Sequence, residues 1–249
     1  MIDVQRDISV IDLDDQQQLV IACDSIGGIG PKEEDSLQVP GEIVGKLGVR
    51  VALLEVLAVR AKPVTVINTL SVEYEPTGKE IIRGIKEEIA GLSIGPDKIL
   101  NGSTEENVAT TQTGVGITVI GVANKDNLKL ANSKAGDILV AIGLPKVGGE
   151  VLTAANEIVS LKEMEQLLEL NYIYDILPVG SKGIKYEAEL LAEMNGLNLN
   201  LVNQAEIDLK KSAGPATVLL VTLPENRLDD LQQDISKSVN LLGNFYQIR

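Results

Sequence analysis

The chain has 249 residues, a formal net charge of −14 at pH 7 and 44% hydrophobic residues, enough for one large or two ordinary domains with a sizeable core. So acidic a chain, with five tyrosines, one phenylalanine and no tryptophan, argues against DNA or RNA as a partner, because phosphate neutralisation and base stacking supply most nucleic-acid affinity. The lack of any histidine excludes histidine-based acid–base catalysis, catalytic triads and histidine-bound zinc.

No apolar run approaches the roughly 20 residues that a spanning helix needs, and residues 1–15 carry acids rather than a basic start before an apolar block. A cytoplasmic protein without membrane contact is expected. The single cysteine, Cys23, rules out intrachain disulfides and fits a reducing compartment.

Residues 1–17 alternate apolar and acidic positions, which suggests a short edge strand and a turn. Leu19 to Cys23 is a continuous apolar run, read as a buried strand that Asp24 stops, with Cys23 a buried thiol at its end. Gly27, Gly28 and Gly30 follow, dense enough to turn the backbone tightly and to bring bare N–H groups up to a ligand. Lys32 and Asp35 add a cation and a further carboxylate. Glycine amides, a lysine and carboxylates are the parts that hold a polyphosphate and its magnesium; an ordinary glycine-rich turn with solvated charges is the alternative.

Pro40-Gly41 opens a helical pattern in which Ile43, Val44, Leu47, Val51, Leu54, Leu57, Ala58 and Ala61 recur at three- and four-residue spacings. Glu55 falls close to its apolar side, where a carboxylate needs a partner or a metal; a salt bridge with Arg50 or Arg60 is the alternative to a ligand role. Pro63 is expected to end this helix, and Val64 to Val72 to form a strand. A turn at Pro76 to Gly78 leads to a second helix with Ile81, Ile82, Ile85 and Ile89 on one face and Lys86, Glu87 and Glu88 on the other. The polar block 101–107, with Glu105 and Glu106, precedes a strand at Val115 to Ala123. Strand and helix alternation makes this an α/β or α+β domain.

Around 123–133 the composition turns to Asn, Lys and Asp, which places a domain junction there and divides the chain into 1–125 and 126–249. The second unit reads as a strand at Ile138 to Ile142, a helical region to about Leu170, a turn at Val179 to Gly183 opening a helix through Asn195, strands at Leu197 to Val202 and Ala216 to Leu223, and a closing helix and strand.

These motifs resemble the aminoimidazole ribonucleotide (AIR) synthase-like ATP-binding proteins. An Asp closing a strand before a glycine turn and a lysine is similar to Asp24, Gly27 to Gly30 and Lys32. An acid at fixed distance from Gly-Ala-x-Pro is similar to Glu55 with Ala61-Lys62-Pro63, and a Gly-Gly-Glu-Thr-like block is similar to Asn101 to Asn107. Arg60 and Ser103 depart from the pattern of the cyclo-ligases. GGIGPKEED with NGSTEENVATTQTGVG is most similar to the α-ribazole kinases, which phosphorylate the 5′-hydroxyl of a ribosylated benzimidazole in cobalamin salvage.

The resemblance implies an α+β protein: an N-terminal α/β domain whose sheets pair into a barrel in a homodimer, plus a smaller C-terminal α/β domain. It implies ATP and Mg2+ as cofactors and a nucleoside-like substrate. Asp24 and Lys32 would act in catalysis, Lys32 neutralising the transferring phosphoryl group. Gly27, Gly28, Gly30, Lys32, Thr104 and Asn107 would hold the nucleotide, and Asp24, Asp35, Glu55, Glu105 and Glu106 the metal. A cyclo-ligase or dehydratase, or a nucleotide-binding scaffold, is the alternative.

Overall fold

The computed structural model describes residues 2–92, 95–202 and 207–247. It falls into two compact units, 1–57 with 61–127, and 58–60 with 128–249. No helix among the described residues is long and apolar enough to cross a membrane.

The first unit is built on a six-stranded sheet. In chain order its elements are β1 (Ile2–Gln5), β2 (Ile8–Asp12), β3 (Gln17–Gly27), the short pair β4 (Ile29–Gly30) and β5 (Leu37–Gln38), α1 (Gly41–Ala58), β6 (Lys62–Leu70), α2 (Lys79–Ala90), α3 (Pro96–Ile99), β7 (Leu100–Thr104) and β8 (Gly114–Asn124). The sheet order is β1-β2-β3-β8-β6-β7, antiparallel except for the parallel pair β6/β7. It is open, with β1 and β7 at its edges. The expected barrel is therefore not closed within one chain.

Strand periodicity explains the faces. Along β8, Val115, Ile117, Val119, Gly121 and Ala123 are buried and the residues between them half-buried, as a period of two requires. The buried face packs on α1, where a Cβ on Gly48 would lie 2.8 Å from Ile26 Cδ1 and 3.2 Å from Ile117 Cδ1. On the opposite face Ile11, Leu19, Ile21, Ile67, Ile120 and Val122 remain half-buried, and the registers Ile11↔Leu19 and Leu19↔Val122 line several of them up across the strands.

Helices α1 and α2 cross at glycines. A Cβ on Gly45 would collide with the Ile81 carbonyl oxygen and one on Gly84 with that of Glu42, so the two backbones touch. Overpacking such a contact destabilises by about 1–3 kcal/mol. Ile81, Ile85 and Ile89 of α2 are fully buried, as the sequence pattern predicts. Glu88 is not on the solvent side: it is 7% exposed and takes the Arg50 guanidinium of α1 in two bonds, 2.6 and 3.2 Å. A paired buried charge is tolerated where a lone one is not.

Several sequence boundaries shift. Residues before β3 make two strands rather than one. Asp24 does not stop β3, which continues in register with β8 as far as Gly27↔Gly114; one polar side chain on an alternating strand does not interrupt its ladder. Beyond Ala22 the other edge of β3 has no β2 partner, and Cys23 is exposed rather than buried. Helix α1 ends at Ala58, before Arg60 at φ 64°. Pro63 lies inside β6, beside a shift of register against β8, a place where its missing N–H is tolerated. The polar block at 101–104 is an edge strand, β7, whose exposed side chains carry no burial signal.

The second unit contains β9 (Asp137–Ile142), α4 (Leu161–Glu169), β10 (Ile176–Pro178), α5 (Gly183–Met194), β11 (Asn198–Leu201), β12 (Leu219–Pro224), α6 (Leu228–Asp234) and β13 (Val239–Tyr246). Its five-stranded sheet runs β10-β12-β9-β13-β11, with every pair antiparallel. Central β9 is buried along its whole length, and Ile184, Ala188 and Leu191 of α5 join Leu139, Leu220 and Phe245 in one core. The three-residue β10 escapes sequence reading because it is too short for a period to show. Beside it, buried Asp175 accepts the backbone N–H groups of Asn132 (2.9 Å) and Ser133 (3.0 Å) and the Asn195 amide (3.1 Å). In the same unit the Arg60 guanidinium donates to Leu168 O at 2.7 Å, so it is not a partner of Glu55.

Candidate functional site

Four segments converge at one end of the six-stranded sheet: the end of β3, the loop from Gly28 to Gln38, the turn after β6, and the stretch between β7 and β8. The registers Gly27↔Gly114, Leu70↔Val115 and Leu70↔Thr104 bring these ends level. Asp24, Gly27 to Gly30, Lys32, Asp35 and Thr104 to Asn107 all belong to this end.

The glycine loop is folded tightly. Gly28 (φ +67°) and Gly30 (φ +154°) adopt conformations that side chains disfavour. The Gly28 N–H donates to Thr113 O at 2.9 Å, and the Gly28 carbonyl accepts from Ser36 N at 2.8 Å. The Gly28 amide, expected to meet a ligand, is therefore used internally. Asp35, 7% exposed, accepts from Lys32 N (2.9 Å), Thr113 N (2.8 Å) and Thr113 Oγ1 (2.7 Å). It anchors the loop to the start of β8 with its carboxylate lone pairs, which is a different task from the metal ligation expected of it.

The Lys32 ammonium projects from this loop to Glu73 Oε2 at 2.5 Å, and Thr77 Oγ1 donates to Glu73 Oε1 at 2.5 Å. Partial burial by itself pushes Glu73 up, but the bonds from Lys32 and Thr77 and the nearby positive charge hold it below the usual carboxylate value. Glu106 Oε1 accepts from Tyr74 N (2.7 Å) and Thr104 Oγ1 (2.8 Å), tying the turn after β6 to β7. Glu105 Oε1 accepts the N–H groups of Asn107 (2.7 Å) and Val108 (3.1 Å), which lower its pKa. Both acids shape the backbone around Thr104 and Asn107.

Glu55 lies on α1 and is paired with Arg6 at 3.1 Å, both side chains being almost fully buried. Its partner is thus neither Arg50 nor Arg60. Asp24 is half-buried on the helix-facing side of β3. Burial raises its pKa, the Ser25 backbone bond opposes this, and the negative charge of Asp7 adds to the rise. Among the described residues no three acidic or thiol side chains group as a metal cage. Magnesium on a nucleotide needs only one or two carboxylates, the phosphates and water supplying the rest, and Asp24 beside Asp7 is the pair a cation would relieve.

Arg6, Asp7, Glu73, Thr77 and Thr113 were not legible as site residues. Glu73 alone had a signal, an acid ahead of the Pro76 turn. The others are brought in by strand pairing.

Residues 5–123 match the family described as AIR synthase related protein, N-terminal domain. No curated protein matches the chain, but solved structures do. The Escherichia coli hydrogenase maturation protein HypE superposes with TM-score 0.69 at 16% identity, over 92% of this chain and 80% of that one. Thiamine monophosphate kinase from Aquifex aeolicus gives 0.68 at 13% identity, over 97% and 89%. Thermotoga maritima PurL complexed with ATP gives 0.62 at 14% identity, over 96% of this chain and 42% of that one. The fold is mixed α/β of AIR synthase type.

Asp24 ionises against burial and a neighbouring acid, so its raised pKa carries stability that is present below the ordinary aspartate value and is lost as pH rises through the folded-state value. Asp24→Asn should therefore be more stable than the parent at pH 7, with the gain fading toward pH 3. Urea unfolding at both pH values checks this; a parent as stable as the variant at pH 7 would contradict it.

Proposed function

We propose that this protein is a Mg-ATP-dependent kinase for a small hydroxyl-bearing substrate, with the nucleotide phosphates at the sheet end that carries Lys32. The supporting observation is the Lys32–Glu73–Thr77 group. It holds an ammonium in place at the mouth of a glycine loop, where positioned positive charge is what phosphoryl transfer requires of a protein. The likeness to thiamine monophosphate kinase, which covers 85% of the chain solved in complex with AMPPCP and TMP, favours transfer to a small molecule.

In this reading Lys32 leaves Glu73 for the phosphates and neutralises charge on the transferring group. Asp24 holds magnesium, which neutralises phosphate charge when bound. Gly27, Thr104 and Asn107 line the nucleotide. Asp35, Glu105, Glu106 and Glu55 hold the surrounding backbone and helix in place. The acceptor is nucleoside-like, and the loop sequences GGIGPKEED and NGSTEENVATTQTGVG favour the ribose 5′-hydroxyl of α-ribazole. Transfer forms the phosphomonoester and ADP, and the hydroxyl proton is released.

Incubation with Mg-ATP and a nucleoside panel that includes α-ribazole should yield a product heavier by one phosphoryl group in mass analysis. Lys32→Met should lower kcat on the order of 100-fold with a smaller change in ATP affinity. Unphosphorylated products throughout, or a Lys32→Met kcat within about twofold of the parent, a change typical of neutral surface positions, would remove the kinase reading.

The half-buried apolar face of the open sheet, from Ile11 and Leu19 to Ile120 and Val122, favours a homodimer in which two such faces meet. Light scattering should give twice the 26.6 kDa chain mass; a mass of 26.6 kDa at micromolar concentration would overturn the dimer.

A further inference from the structure

Phosphoryl transfer to a hydroxyl frees a proton, and a side chain placed to take it speeds such a step by about 100- to 10,000-fold. The chain has no histidine, so the bases at hand are carboxylates. Most of those at this sheet end are committed. Asp35 is buried under three bonds, Glu105 and Glu106 hold backbone amides, and Glu34 accepts from Thr111 Oγ1 at 2.8 Å. Asp24 faces the cation in the reading above. Glu75 stands in solvent, bonded to Lys79 at 3.0 Å.

Glu73 is different in two respects. Its backbone is fixed on every side: its carbonyl accepts from Gly78 N at 2.9 Å, Val72 O accepts from Glu105 N at 3.0 Å, and Tyr74 N donates to Glu106 at 2.7 Å. Its side chain nonetheless remains 30% exposed, against 18% for Lys32, so a substrate can reach the carboxylate. The second respect is that its charged partner departs. When Lys32 turns to the phosphates, Glu73 Oε2 loses its bond while Oε1 keeps that of Thr77 Oγ1, a hydroxyl only 4% exposed. Burial, which pushes this carboxyl up, is then opposed by less, and the group becomes a better proton acceptor at the moment the nucleotide is in place. The charged groups around it are Lys32 from the glycine loop, Glu106 on the neighbouring amide, and Glu75 and Lys79 from its own turn.

We propose that Glu73 is the general base of the transfer, its Oε2 accepting the proton of the acceptor hydroxyl in the place that Lys32 vacates. The hydroxyl oxygen forms its bond to the γ-phosphorus, the bond from that phosphorus to the ADP oxygen breaks with its electron pair staying on ADP, and the proton passes through Glu73 to solvent. One ion pair thus supplies both halves of the chemistry, the ammonium to the phosphoryl group and the carboxylate to the nucleophile. This role rests on the kinase reading above.

The pH dependence of kcat, with α-ribazole or whichever nucleoside of the panel is phosphorylated, tests it. Glu73→Gln keeps the length of the side chain and an oxygen for Lys32, but it cannot take the proton. Its kcat should fall at least about 100-fold, with an acid limb shallower than the parent's by one proton, while calorimetry shows Mg-ATP bound as tightly as before or more so. A side chain that only steadied Lys32 would matter no further once Lys32 is gone. Added to Lys32→Met, Glu73→Gln should instead lower kcat by at least about another tenfold. Thr77→Val removes the remaining bond that favours the ionised carboxylate, so its acid limb should move to higher pH. Glu73→Gln turnover within about threefold of the parent, or with the parent's full acid limb, overturns the base and leaves the kinase standing, as does an unmoved limb in Thr77→Val. Should Glu73→Gln fail to fold, Thr77→Val decides. Mg-ATP binding with no acceptor phosphorylated removes the kinase reading and the proton step with it.

Discussion

The buried carboxylate of Asp35 holds the candidate site in shape. Its oxygens take the Lys32 backbone amide from one side and the Thr113 amide and hydroxyl from the other, so one side chain bolts the glycine loop to the residue that leads into β8. Bonds to an ionised acceptor are worth about 1.5–3 kcal/mol each. Gly30 belongs to the same contact, since a Cβ there would collide with Thr113 Oγ1 and lie 2.9 Å from Asp35 Oδ2. A second seam runs alongside, with Glu34 N on Thr111 O at 3.0 Å and the Gln112 amide on Glu34 O at 2.7 Å. With the loop fixed in this way, the Lys32 side chain starts from a defined place.

Charge is shared out unevenly in a chain of net −14. Glu88 has Arg50, Glu55 has Arg6 and Glu73 has Lys32, and each pair joins elements distant in sequence. Asp24 has a neighbouring acid instead, Asp7, and a pKa raised by burial. The difference separates carboxylates that stabilise the fold from one that a cation would stabilise. In the proposed reading Lys32 serves in two ways, held by Glu73 until a more highly charged phosphate takes its place.

Much of the fold was legible because its elements are long and periodic. The buried stripe of α2 at Ile81, Ile85 and Ile89, the alternation of β8 and the apolar run of β9 are set by local pattern, and each forms where the pattern predicts. The boundaries were less legible, because tertiary pairing decides them. Asp24 stays in β3 through its β8 ladder, and Pro63 enters β6 where the register already slips. The polar run at 101–104 becomes a strand because β6 offers it an edge. In the candidate site, the residue types were visible in the sequence and their contacts were not. Glu55 could be flagged as an acid needing a partner and Asp35 as a carboxylate of the glycine loop, but Thr113 and Arg6, 78 and 49 residues away in sequence, are found only in the folded chain.

In the proposed reading this sheet end binds a nucleotide polyphosphate through a metal-neutralised contact. Calorimetric titration of ATP into the protein, once with magnesium and once with EDTA, tests it most directly. Repulsion between a triphosphate and a chain of net −14 falls when a divalent cation stands between them. Affinity should therefore drop at least about tenfold in EDTA, or about 1.4 kcal/mol. Equal affinity with and without magnesium, or no binding in either condition, would contradict the account.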